Sequence, residues 1–238
     1  MIKSPIFEFA IAVDFISLNN LTNYKKIFHI LISMINTIFF DVGGVILNLE
    51  GSFQNLLEFI KPENPKEFWQ EFNILAVPAC QGKQSFNDFL RDVAKKYGKN
   101  ISDNSLDDLW MKNVQETMKI NSDVVNIIKK LKKQNYKLGV ISNTIKEISE
   151  VSGSHPEDMV GKNIFDVILS SHELGIAKPQ KEIFELAMKK IYSKPEECVF
   201  IDDVQKYVNV ADSLGINGIL FTDAEDLDEK LKELNVLT

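Results

Sequence analysis

Asp41 follows an apolar run, Thr37-Ile38-Phe39-Phe40, and is itself followed, after Val42, by Gly43 and Gly44. Such a run reads as a buried strand of the kind found in parallel sheets. The two glycines allow a sharp turn and let backbone N–H groups come close to an anion. Two other strand ends have the same grammar, and a loop adds a fourth group. Ser142-Asn143 ends the apolar segment that starts at Lys137, Asp202-Asp203 ends Cys198-Val199-Phe200-Ile201, and Lys178 sits in the loop Gly175-Ile176-Ala177-Lys178-Pro179. In a parallel sheet all carboxyl ends lie on one edge, where ligands bind. Three carboxylates, a hydroxyl and an ammonium would meet there. Carboxylates that close repel one another unless a hard cation lies among them, and an all-oxygen ligand set suits Mg²⁺. The hydroxyl and the ammonium suit a phosphate. Each residue also has an ordinary reading: Ser142 as a turn or cap residue, Lys178 as a surface lysine, and Asp202-Asp203 as an exposed strand end.

The elements that must position these groups can be read from periodicity. After Leu47 the pattern turns helical for about seventy residues, with apolar faces at Phe53, Leu56, Leu57, Ile60; Phe68, Trp69, Phe72; Phe86, Phe89, Leu90, Val93; and Leu106, Leu109, Trp110. Pro62 and Pro65 punctuate it, and Ser85-Phe-Asn-Asp88 and Ser105-Leu-Asp-Asp108 read as N-caps. The aromatics read as the insertion's own core. From Ser122 onward helices and strands alternate: helix from Ser122, strand 137–141, strand 165–169, helix 180–191, strand 198–201, helix 205–214, strand 218–221 and helix 224–234. That alternation specifies an α/β fold, a doubly wound parallel sheet with helices on both faces, here carrying an inserted helical segment. The expected divisions are an N-terminal extension over 1–33, a catalytic core over 34–49 and 120–238, and a helical cap over 50–119. Pattern changes put hinges near Leu47 to Glu50 and Ile120 to Ser122. Gly82 reads as a plain turn or as the tip of a loop reaching the site.

Composition narrows the partners. A net charge of −7, with basic residues scattered and only Lys129, Lys130, Lys132 and Lys133 clustered as a solvated helix side, speaks against nucleic acid and anionic membrane. Cys80 and Cys198 are far apart, outside any C-x-x-C, and read as buried thiols in a reducing cytosol. His29, His155 and His172 have no ligand spacing. In residues 1–33, Glu8, Asp14 and the polar stretch from Asn19 interrupt every apolar run, far short of the roughly 20 residues a membrane span needs. They fit a secretory signal poorly, and Met34, which opens a clean strand, reads as the functional start. A cytoplasmic monomer or homodimer acting on a small molecule is the expectation.

In the order and spacing of Asp41, Ser142, Lys178 and Asp202-Asp203, the chain from Met34 onward resembles the haloacid dehalogenase (HAD) superfamily. The likeness is to its phosphatase branch, with a Rossmann-like core and a helical cap inserted after the first strand. The resemblance implies that Asp41 attacks phosphorus and forms an aspartyl-phosphate. It implies that Ser142, the N–H of Asn143 and the Gly43-Gly44 turn hold the phosphoryl oxygens, and that Lys178 neutralises them and orients Asp41. Asp41, the Gly43 carbonyl, Asp202 and Asp203 would hold Mg²⁺. One departure stands out. Most phosphatases of the family carry a second Asp, the general acid, where this chain has Gly43, and such a group contributes on the order of 10²–10⁴-fold. A sub-branch reading D-x-G-[GN]-V includes sugar 1-phosphate phosphatases, which implies a sugar phosphate with a good leaving group. Tyr207 also stands where the fourth motif's helix often carries Asn. The rivals are a 2-haloacid dehalogenase, which needs no paired Asp202-Asp203, and a catalytically weak binding protein, which the intact Asp41, Ser142 and Lys178 oppose.

Overall fold

The computed structural model describes residues 35–49, 51, 53–102, 105–106, 117–151 and 153–237. The expected extension over 1–33, the start at Met34, Glu50, Leu109, Trp110 and the acidic end of the Ser105 cap lie outside the described residues. Strand β1 (Thr37–Phe40) is buried on both faces: Ile38 and Phe40 pack with one helical layer, Phe39 with the other. The strand begins at Thr37 rather than Met34, after Asn36 donates its N–H to the Glu197 carbonyl at 3.0 Å. A short strand β2 (Leu47–Asn48) then leads into helices α1 (Gln54–Ile60), α2 (Pro65–Leu75), α3 (Val77–Cys80) and α4 (Phe86–Lys96). Strand β3 (Lys119–Ile120) pairs antiparallel with β2, so the two chain crossings lie side by side.

The remaining elements are α5 (Ser122–Lys133), β4 (Lys137–Ser142), α6 (Lys146–Ser149), α7 (Pro156–Val160), β5 (Val167–Ser170) and α8 (Ser171–Leu174). They continue with α9 (Lys181–Ile191), β6 (Cys198–Asp202), α10 (Gln205–Ser213), β7 (Asn217–Leu220) and α11 (Ala224–Glu233). The five long-range strands form one parallel sheet in the order β5-β4-β1-β6-β7, with β1 at its centre. Val124, Ile128 and Leu131 of α5 and Leu227 and Leu231 of α11 cover one face. Ile183, Phe184 and Ala187 of α9 and Ala211 of α10 cover the other. The doubly wound α/β expectation is met. Element ends differ from the periodic reading by one or two residues. The helices α3, α7 and α8, of four, five and four residues, escaped it because they are too short to show a period.

The helices α1 to α4 pack on a core of their own. Leu56, Phe68, Phe86, Phe89 and Leu90 are fully buried there. Phe72 meets Phe89 edge to face at 4.8 Å between centroids, a geometry favoured by the ring quadrupoles. Ser85 caps α4 as expected, accepting the Asp88 N–H at 3.1 Å, and Asn64 caps α2, accepting the Lys66 N–H at 3.1 Å. No described helix is long and apolar enough to cross a membrane.

Candidate active site

The ends of β1, β4 and β6 and the loop before α9 converge on the same sheet edge. Asp41 continues the sheet by donating its N–H to the Ile201 carbonyl at 2.9 Å, which fixes its side chain at the edge. The Lys178 ammonium, with a side chain fully out of solvent, bridges Asp41 Oδ1 at 2.8 Å and Asp202 Oδ2 at 2.6 Å. The other Asp202 oxygen, Oδ1, accepts the Val204 N–H at 2.8 Å. Asp202 is therefore held rigidly, with both oxygens engaged, while Asp203 stays exposed. Oxygens of Asp41, Asp202 and Asp203 lie within 4.8 Å of one another.

The electrostatics follow from burial. Loss of water lifts the Asp41 carboxyl to about 7; Lys178 opposes the lift, and Asp202 and Asp203 add to it. Burial pulls the Lys178 ammonium down, but the two carboxylates outweigh it and hold the group above its ordinary value. The described residues thus bring three carboxylates around one ammonium, a set one cation short of balance. A divalent ion with oxygen preference fits that deficit and that donor set.

Ser142 is buried at the end of β4 and lines the same cavity as Asp41 and Lys178. Asn143 does more than its sequence position suggested. Its side chain grips the Lys178 peptide at both ends: Nδ2 donates to the Lys178 carbonyl at 2.8 Å, and Oδ1 accepts the Lys178 N–H at 2.8 Å. Tyr207, a departure from the family pattern, has its ring centroid 5.2 Å from Lys178 Nζ, and the Phe200 ring lies 5.4 Å from it. No local pattern marks either contact, because each depends on where a distant loop returns.

The glycine turn needs a correction. The Gly44 N–H, expected among the phosphate donors, donates instead to the Leu47 carbonyl at 2.8 Å. Gly44 is needed for its shape: its φ is +80° and a Cβ there would run into the Asp203 carboxylate. At Gly43 a Cβ would meet the Leu49 Cδ1 at 2.9 Å, so a leucine methyl group fills the space into which a side chain at 43 would project.

Above this edge is a cavity of about 370 Å³. Its floor is the sheet edge with Asp41, Ser142, Lys178 and Asp203; its roof comes from the helices, with Phe53, Phe72 and Val77 among the lining residues. Gly82 is not among the cavity's lining residues but packs against the sheet layer: a Cβ there would press on the His172 carbonyl at 2.5 Å, and beside it Gln81 Nε2 donates to Gln180 Oε1 at 2.6 Å. Cys80 also lines the cavity, its thiol pushed up to about 11 by burial and therefore protonated.

Residues 35–206 match the family model described as haloacid dehalogenase-like hydrolase. A glyceraldehyde 3-phosphate phosphatase of Methanocaldococcus jannaschii is 26% identical over 74% of this chain and 82% of its own length. The bifunctional epoxide hydrolase 2 of Sus scrofa is 31% identical over half of this chain, which spans only 21% of that protein. Among solved structures, a HAD family enzyme of Bacteroides thetaiotaomicron in complex with magnesium and inorganic phosphate is 24% identical. It superposes with a TM-score of 0.59 over 82% of this chain and 98% of its own, a likeness of fold.

Proposed function

The chain belongs to the haloacid dehalogenase-like hydrolases, and from that premise we propose that it is an Mg²⁺-dependent phosphomonoester hydrolase working through an aspartyl-phosphate on Asp41. The observation that carries the reading is the placement of Lys178 between Asp41 and Asp202, with Asp203 completing an oxygen cluster within 4.8 Å. A dehalogenase acting on carbon has no use for the third carboxylate. The relative of Methanocaldococcus jannaschii named as a phosphatase supports the same class of substrate.

In this reading Asp41, Asp202, Asp203 and the Gly43 carbonyl would hold Mg²⁺, which would supply charge neutralisation between nucleophile and phosphate. Asp41 attacks phosphorus while Lys178, pinned by Asn143, fixes one oxygen of its carboxylate and offsets charge on the phosphoryl group. Ser142 donates to a phosphoryl oxygen. The helices α1 to α4 act as a cap that closes over the edge and excludes water during the first step. No carboxyl group stands at position 43, so the leaving oxygen departs with its own charge or takes a proton from water. Substrates with an acidic leaving group are therefore favoured. A sugar 1-phosphate meets that condition.

The test is phosphate release from p-nitrophenyl phosphate and a panel of sugar phosphates, with Mg²⁺ and with a chelator. Mg²⁺-dependent release is the expected result. Silence across the panel, together with chloride release from 2-chloropropionate, would overturn the reading.

A further inference from the structure

The floor and the walls of the cavity differ in chemistry. All the charge is on the floor. Among the described residues no Lys, Arg, Asp or Glu of α1 to α4 lines the cavity, and that side presents Leu49, Phe53, Phe72, Val77, Met118 and Ile148 as hydrocarbon. Several polar side chains on the far wall make local hydrogen bonds to the backbone. Ser149 Oγ donates to the Lys146 carbonyl at 2.7 Å, Ser154 Oγ donates to the Ser149 carbonyl at 3.1 Å, and His155 Nδ1 accepts the Glu157 N–H at 3.3 Å. A site built to hold a polyol leaves several donors and acceptors aimed at the ligand, and their partners are what it discriminates by. Asn73 is the only polar side chain from the described part of α1 to α4 that lines this space. The apolar surface continues down to the reacting centre, because the Leu49 methyl group occupies the place beside Asp41 where a side chain at residue 43 would project.

We infer that the group beyond the phosphate is apolar: the substrate class is a phosphomonoester of an aryl or other acidic, apolar alcohol, seated with hydrocarbon against Leu49, Phe72 and Val77. The inference rests on the phosphatase reading for the phosphoryl end and supplies the other end. Leu49 and Val77 are the specificity-determining positions, both partly exposed at the cavity's walls at 36% and 39%. An aryl leaving group also fits the missing acid, since a phenolate departs without a proton donor.

The experiment measures binding apart from turnover. The full chain with Mg²⁺ is titrated calorimetrically with methyl-, ethyl-, butyl- and hexylphosphonate, which cannot be hydrolysed, and with ribitol 5-phosphate. Affinity should rise about fourfold per methylene, equivalent to ~0.8 kcal/mol each, until the walls are filled. Val77→Asn should lower hexylphosphonate affinity roughly tenfold and leave inorganic phosphate binding unchanged. Because Val77 sits at an exposed helix start, that variant keeps its fold, and the wild-type series stands without it. A flat series, or ribitol 5-phosphate binding as tightly as butylphosphonate, would overturn the inference. A steep series in a protein that hydrolyses no phosphomonoester would uphold the apolar site and sink the phosphatase reading instead.

Discussion

The cavity's floor and its roof are two solutions to the problem of burying a surface. The floor buries charge. Lys178, Asp41 and Asp202 are nearly or fully out of water, and each is tolerable only because the others are there. The roof buries rings, and Phe68, Phe86 and Phe89 are held by area and by edge-to-face contact with Trp69, Phe53 and Phe72, with no partner that must be charged. A floor of this kind has little tolerance for substitution but fixes atoms to within a hydrogen bond's length. A roof of this kind tolerates exchange of shape for shape and so can be refitted to another leaving group while the chemistry beneath stays the same.

The contrast makes graded predictions. On the floor, Asp41→Asn should leave a folded protein, since Lys178 keeps Asp202, but cut phosphate release by on the order of 10⁴-fold or more. Wild-type turnover in that variant would mean the nucleophile lies elsewhere. In the roof, Phe89→Ala empties a fully buried ring site and should cost about 3–5 kcal/mol in urea unfolding. A loss below about 1 kcal/mol would show that the helices are not held by their ring cluster. The smallest effect should come from Asn143→Ala, which removes two hydrogen bonds to the Lys178 peptide at about 1 kcal/mol each. Its melting temperature should fall by a few degrees, and Mg²⁺-dependent turnover should fall further than that stability loss explains. Equal turnover with lower stability would make Asn143 a structural residue only.

The floor was the more legible of the two in the sequence, for a physical reason. A parallel sheet delivers every strand end to one edge, so Asp41, Ser142 and Asp202 are placed by strand recognition alone. Lys178 was legible as a residue, but its clamp was not: Asn143 is 35 residues from it in the chain, and no periodicity encodes a loop's return. The Gly44 N–H shows the converse. Two glycines after a strand look like an anion cradle, yet the turn spends that donor on Leu47. The roof's aromatics were correctly readable as core, but which of them also faces a cavity depends on how far the helices stand off the sheet. That distance is a tertiary quantity.

That stand-off is set at two places in the roof. The chain enters the helical layer through β2 and leaves it through β3, and these two strands are hydrogen-bonded to each other. Elsewhere in the roof Gly82 lies so close to the His172 carbonyl that even a methyl group would wedge between them. The two crossings, paired side by side, tie the helical layer to the sheet through one short ribbon. The nearness of the helical layer to the His172 carbonyl is thus set by a hydrogen atom where any other residue would carry a side chain.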